Sequence, residues 1–203
     1  MNRMQGLLDD LGKESPAFTD LGLMPDLQLD KFVSMASSLP SEHEAIAARV
    51  LYPYLDSVMA RLSALAKAQK LIRLALDQIR RFLQDLQVEY SPRRGLQFLV
   101  EGTRRQLSPV QLSSGERQLV LLISTVLAAR DTSRLFIIDE PELSLGVPWQ
   151  REILDSLLAC TEGTACQFLV ATHSIEMVTA NRDALVRLQR RRSNLLPDQA
   201  TEV

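Results

Sequence analysis

The sequence predicts an α/β fold in which a parallel β-α-β-α core follows a long helical segment. Three observations predict it. Short apolar runs at 135–139 and 167–171 alternate with helical patterns at 148–159 and 175–179, the order that gives parallel strands joined by right-handed crossovers. Leu55, Val58, Leu62, Leu65, Gln69, Ile72, Leu76, Ile79, Leu83 and Leu86 step by three and four, and all but Gln69 are apolar. That series predicts a long helix with a coiled-coil-like seam. Finally, both apolar runs end in reactive side chains, Asp139-Glu140 and His173, at the edge where open α/β sheets bind ligands.

Taken in order, residues 1–40 are the least patterned. Asp9-Asp10, Pro16, Pro25 and Pro40 punctuate short apolar pieces, so loops with one short helix at 29–37 are expected. Gly6 followed by Gly12-Lys13 imitates a phosphate loop. Five residues separate the glycines where such a loop has four, Glu14 replaces the Ser or Thr, and no strand precedes it, so it reads as a decoy.

The helical arm is assigned to 41–86. Pro53 sits near its start, where proline is tolerated, with a separate earlier helix through 44–51 as the alternative. Leu71 and Leu74 lie off the seam, and that width favours packing on a globular body over a free two-stranded rod. Gln69 either sets register or faces water.

The lobe is assigned to 87–188. Runs at 86–90 and 96–100 flank Ser91-Pro92-Arg93-Arg94-Gly95, a hairpin signal. Residues 106–111 lead into Leu112-Ser113-Ser114-Gly115-Glu116, and 116–129 is apolar almost all round, which predicts a helix buried against the sheet. A last short strand is expected at 184–188. Arg190-Arg191-Arg192 opens a polar tail, 189–203, expected to be disordered.

The 203 residues hold one domain or slightly more, and a net charge of −2 predicts no general affinity for nucleic acid or anionic membrane. Two cysteines, Cys160 and Cys166, without a secretory pattern predict a reducing, cytoplasmic setting and no disulfide framework. The longest apolar run, 119–129, is too short to span a bilayer.

The chemistry concentrates in three places. Ser113-Ser114-Gly115 is a flexible turn feeding a helix, so its N–H groups and hydroxyls stand at the positive helix end and suit a phosphate. The bland alternative is a capping box closed by Ser113 and Glu116. Asp139 and Glu140 are adjacent carboxylates at a strand end, where a solvated turn is the alternative. His173, in Thr172-His173-Ser174 after an apolar strand, favours a functional histidine over a structural one.

These residues carry a family resemblance. Leu112-Ser113-Ser114-Gly115-Glu116 resembles the signature motif of ABC-type ATPases, and Leu135-Phe136-Ile137-Ile138-Asp139-Glu140-Pro141 their Walker B strand. Leu143-Ser144-Leu145-Gly146 resembles the D-loop, and Ala171-Thr172-His173-Ser174 the switch-histidine loop, in the family's order and spacing. The wording is closer to the SMC-like and OLD-like ATPases of DNA repair and phage defence than to transporter ATPases.

The resemblance spans 86–188 and implies the C-terminal lobe of an ABC-type P-loop NTPase using ATP and Mg²⁺. It implies that Asp139 holds Mg²⁺, that Glu140 orients the attacking water and that His173 hydrogen-bonds the γ-phosphate. Ser113, Ser114, Gly115 and Glu116 would contact ATP held by the opposite head of a head-to-tail dimer. Two departures stand out. In the D-loop region Gly146-Val147-Pro148 follows Ser144-Leu145, where the family has an acidic residue or His-Pro, and no Gly-x-x-x-x-Gly-Lys-Ser/Thr or glutamine loop occurs in the sequence.

The expectation is therefore an ATPase half, poor at binding ATP alone and completed by a Walker A-bearing polypeptide, in DNA repair or anti-phage defence. DNA and a nuclease or effector subunit are its further expected partners, with no membrane contact. The alternative is a non-catalytic regulatory half-head that lends its signature face to a partner ATPase or nuclease. A third reading, a gene fragment, would aggregate through an uncovered sheet edge. Any DNA contact would fall to Arg93, Arg94, Arg104, Arg105 and Arg190-Arg191-Arg192, although such clusters more commonly mark solvated loops.

Overall fold

The computed structural model describes residues 2–28, 31, 34 and 44–186. Its N-terminal part corrects the expectation of loops: α1 (Asn2–Glu14) and α2 (Pro16–Thr19) are helices. Pro16 opens α2 at the first helical position, where its missing N–H costs no hydrogen bond. Asp9 and Asp10 point outward while Leu8 and Leu11 are buried, so the acidic pair marks a helix face rather than a break. Gly6, Gly12 and Lys13 all lie within α1, which leaves no loop there to cradle a phosphate. The helix expected at 29–37 lies outside the described residues except for Lys31 and Ser34.

One helix, α3 (Glu44–Phe82), runs without interruption through Pro53, so the alternative of two helices does not hold. Proline there leaves the carbonyl of Arg49 without its intrahelical partner. The helix joins two separate cores. Leu55, Val58 and Leu62 pack with Leu8, Leu11, Phe18 and Met24 of the N-terminal segment. Leu76, Ile79 and Phe82 join the larger core, with Leu119, Ile123, Ile153 and Leu157. Between the two, Leu65, Gln69 and Ile72 are only half-buried. The seam's last members lie beyond the helix: Leu83 is buried in the connection, and Leu86 opens the next strand.

Strands β1 (Leu86–Ser91) and β2 (Gly95–Val100) form the expected antiparallel hairpin, with Ser91 opposite Gly95, and β3 (Gln106–Leu107) extends it. Gly95 takes a φ of +69°, which a glycine adopts without strain. The guanidinium of Arg80 donates from both Nε and Nη2 to the carbonyl of Val88, at 2.9 and 2.6 Å, and fastens the hairpin to α3.

Next come α4 (Ser114–Ala129), β4 (Leu135–Asp139), α5 (Val147–Cys160), β5 (Gln167–Ala171) and α6 (Ile175–Ala180). β4 and β5 are parallel and in register, Leu135 beside Gln167 through Asp139 beside Ala171. Phe136 and Phe168 stack across them with centroids 5.3 Å apart. The hidden serine of α5, Ser156, donates to the Gln78 side chain of α3 and ties the two helices together.

The parallel strands are buried on one face: Phe136, Ile138, Phe168 and Val170 pack on the core, but Ile137 is 72% exposed and Leu169 58%. Two expectations need correction. The apolar helix α4 buries only Leu119, Ile123, Val126 and Leu127 with Gly115, and its Leu121 is exposed. No strand begins at Ala184. A 3₁₀ turn spans Arg182–Ala184, and the amides of Ala184 and Leu185 bond back to the carbonyls of Asn181 and Arg182, so neither is free for a ladder. Leu185 and Val186 are not in a strand either, and residues 187–188 and the tail at 189–203 lie outside the described residues. Both cysteines are free thiols, and no helix among the described residues is long and apolar enough to cross a membrane.

Candidate functional site

Strand β4 carries Asp139 to the carboxyl edge of the sheet, beside Ala171. The amide of Glu140 donates to the Ala171 carbonyl at 2.8 Å, which prolongs the pairing by one residue. Glu140 itself takes a φ of +46°, a left-handed conformation that costs a non-glycine residue energy and turns the chain sharply off the sheet. Its side chain consequently projects over the strand ends. There the Glu140 Oε1 lies 3.8 Å from His173 Nε2, with the imidazole 90% exposed. At that separation the two groups face each other without a hydrogen bond, leaving room for a third group to engage both. Asp139 is exposed beside them, with no partner among the described residues.

The segment that follows is fastened on two sides. On one, Pro141 is buried and its carbonyl accepts from Gln118 Nε2 of α4 at 3.2 Å. On the other, Glu142 Oε1 accepts from the amides of His173 and Ser174 at 2.7 and 3.1 Å. Burial pushes the Glu142 carboxyl upward in pKa, but its own amide, those of His173 and Ser174, and the Thr172 hydroxyl together hold it below the usual range. Ser174 caps α6, accepting from the Met177 amide, and donates to Gln150 Oε1 at 2.6 Å. Gln150 in turn donates to the Leu145 carbonyl. The loops after β4 and β5 are thus bound to each other.

Ser113 caps α4. Its hydroxyl accepts from the Glu116 amide at 3.2 Å, and Glu116 Oε2 accepts from the Ser113 amide at 2.6 Å, the capping box expected as the bland alternative. Gly115 is buried against the backbone carbonyl of Ser144, which occupies the place a Cβ would take. Ser144 makes that approach with a left-handed φ of +64°. Of this turn, Ser114 presents an exposed side chain with no capping duty.

The geometry thus gathers Asp139, Glu140 and His173 at one sheet edge. It sets Ser113, Ser114, Gly115 and Glu116 at the start of a helix packed on the adjoining loop. Three residues with structural roles here, Gln118, Glu142 and Gln150, escaped the sequence reading. Glu142 had a weak signal as a third carboxylate just past Asp139-Glu140, whereas the two glutamines had none.

No cluster of three metal-type side chains exists among the described residues. A lone exposed carboxylate suits Mg²⁺, which takes one or two protein carboxylates and completes its shell with water and phosphate. Of the arginines considered for DNA, Arg93, Arg94 and Arg105 are exposed, Arg104 lies 3.5 Å from Glu89, and Arg190-Arg191-Arg192 lie outside the described residues.

Residues 29–179 match the family described as "AAA domain, putative AbiEii toxin, Type IV TA system". Among curated proteins, the lipoprotein-releasing system ATP-binding protein LolD of Ruegeria pomeroyi is 36% identical over 89 residues, 44% of this chain and 37% of its own length. The SkfA peptide export ATP-binding protein SkfE of Bacillus subtilis is 35% identical over 79 residues, 38% of this chain and 31% of its own. The oligopeptide transport ATP-binding protein OppD of Mycobacterium tuberculosis is 36% identical over 80 residues, 39% and 13%. The chain spans well under half the length of these relatives.

Proposed function

The chain belongs to this AAA-domain family, an ABC/AAA type of ATPase domain, and from that premise we propose that it supplies half of a composite ATP site. The observation that carries the reading is the meeting of Glu140 and His173, 3.8 Å apart, over the carboxyl ends of two parallel strands with Asp139 alongside. Bound ATP with Mg²⁺ would bring the reacting phosphate and the charge that neutralises it. Asp139 would hold the metal, whose charge would neutralise that of the phosphates. Glu140 orients the attacking water and takes its proton, and His173 donates from its imidazole to a γ-phosphate oxygen. Ser114 and the Gly115 amide at the α4 N-terminus, framed by the capping box of Ser113 and Glu116, meet the phosphates of ATP held by the opposite head.

A Walker A-bearing polypeptide completes the site. Two features support this: the sequence has no Gly-x-x-x-x-Gly-Lys-Ser/Thr, and one face of the β4–β5 pair exposes Leu135, Ile137 and Leu169. Parallel strands are ordinarily covered on both faces. Covering each of these side chains is worth up to about 1.5–3 kcal/mol, enough to favour a docked lobe. The signature wording and Asp139-Glu140-Pro141-Glu142 favour an SMC-like or OLD-like head working in DNA repair or phage defence, as a dimer, beside DNA and an effector or nuclease subunit. The transport systems named for the relatives belong to those proteins.

ATP turnover by the chain with a Walker A-bearing lobe tests this reading. Glu140→Gln should lower kcat by roughly 10²–10⁴-fold. Unchanged turnover would sink it. The absence of a phosphate loop favours a second reading, a regulatory half-head that lends Ser114 to a partner's ATP. Under that reading Ser114→Arg abolishes the partner's ATPase while Glu140→Gln spares it.

A further inference from the structure

We propose that Glu142 is the positioning residue that holds the His173 loop onto the turn after β4, and so sets the separation of His173 from Glu140. The proposal rests on the composite-site reading for its consequence, but its geometry stands apart from it. Glu142 Oε1 receives two amides at once, from His173 at 2.7 Å and Ser174 at 3.1 Å. Those residues follow β5 directly, and Glu142 follows Glu140 by two positions, so one carboxylate bridges the ends of both strands. Its other oxygen, Oε2, is buried and accepts no hydrogen bond from the described residues.

A carboxylate with a buried oxygen left unsatisfied is a costly way to fill space, because burial without a partner carries a desolvation penalty. Such a cost is offset here by two charge-assisted bonds, which are stronger than neutral ones. The His173 ring is itself almost wholly exposed. Its backbone is fixed instead, by Glu142 at its own amide and by the Ser174–Gln150 bond one residue on. Glu140, on the other strand, is turned by its left-handed backbone. With the main chains at Glu140 and His173 both fixed, the strut between them sets how the two side chains face each other. Releasing it would let the His173 loop drift while both reactive groups remained present. A misplacement of about 1 Å at a reacting centre costs on the order of 10²-fold in rate.

The test uses the full chain and amide hydrogen exchange followed residue by residue. In Glu142→Ala, exchange at the His173 and Ser174 amides should quicken by roughly 10- to 100-fold, while the core amides of Ile123 and Leu157 stay protected. Glu142→Gln keeps an oxygen acceptor without the charge and should fall between the two. Unchanged exchange at both amides in a folded Glu142→Ala protein overturns the proposal. Should that variant lose core protection, Glu142→Gln decides: selective quickening at the two amides supports the strut, and wild-type rates there overturn it.

With a Walker A-bearing lobe added, Glu142→Ala should lower kcat at least ~10-fold and leave KM for ATP within about 2-fold, with partial recovery in Glu142→Gln. Unaltered kcat overturns the positioning role. If the wild-type pair never turns over ATP, the composite-site reading fails instead, and the exchange rates still decide whether Glu142 is the strut.

Discussion

Gly115 shows how a motif residue can be explained by packing before any ligand is considered. Its missing side chain is where the Ser144 carbonyl sits, so a methyl group must displace backbone. Gly115→Ala should therefore destabilise the chain by about 1–3 kcal/mol, as overpacking of a fixed site does. A thermal or denaturant midpoint will read it, and a neutral result would mean that the loop at 141–146 gives way easily. Glu142 makes a prediction in pH. Its folded pKa lies below the ordinary 4.5, so its contribution to stability is complete above that value and is lost as pH falls through the lowered one. The gap in melting temperature between wild type and Glu142→Gln should hold constant from neutral pH down to about 5 and shrink below ~4.5. A gap that widened on acidification would contradict the sign. The sequence displayed Asp139, Glu140 and His173 clearly because each ends an apolar run. It hid Glu142, whose partners lie 31 and 32 positions further along the chain.

At the scale of elements, periodicity was a faithful guide to α3 and an incomplete one elsewhere. Eight of the ten seam positions, Leu55 to Ile79, lie in the helix and, Gln69 apart, pack on the two cores, while the helix also begins earlier than the seam, at Glu44, and runs through Pro53. The shorter α1 was hidden by acidic and proline residues that read as punctuation, though they occupy an outer face and a helix start. Leu11 and Leu62 are fully buried where α1 meets α3. Truncating either to Ala should cost about 2–5 kcal/mol. Because the larger core is separate, the loss should be read first as faster amide exchange in α1 and the adjoining part of α3, with Ile123 and Leu157 little affected. Uniform loss across both cores would show that they unfold as one. The exposure of Ile137 and Leu169 could not be read from the sequence at all, since an apolar run looks the same whether one face is covered or both.

For the molecule as a whole, two loops after parallel strands carry Glu140 and His173, and one helix N-terminus presents Ser114 to the outside. The bare face of β4 and β5 lies behind them. A charge placed there should separate docking from folding: Ile137→Lys is expected to leave the melting temperature of the chain nearly unchanged, because the side chain is already 72% exposed. It should weaken association with a Walker A-bearing lobe by at least ~10-fold in Kd, measured by calorimetry or light scattering. Undiminished association would move the docking surface elsewhere. The central claim is that catalysis needs this half and another together. ATP hydrolysis by the purified chain, with Mg²⁺, alone and then with a Walker A-bearing lobe, tests it most directly. The account predicts no turnover by the chain alone and turnover on addition, abolished by Glu140→Gln; clear turnover by the chain alone, lost in Glu140→Gln, would contradict it and place an unconventional phosphate loop within these residues.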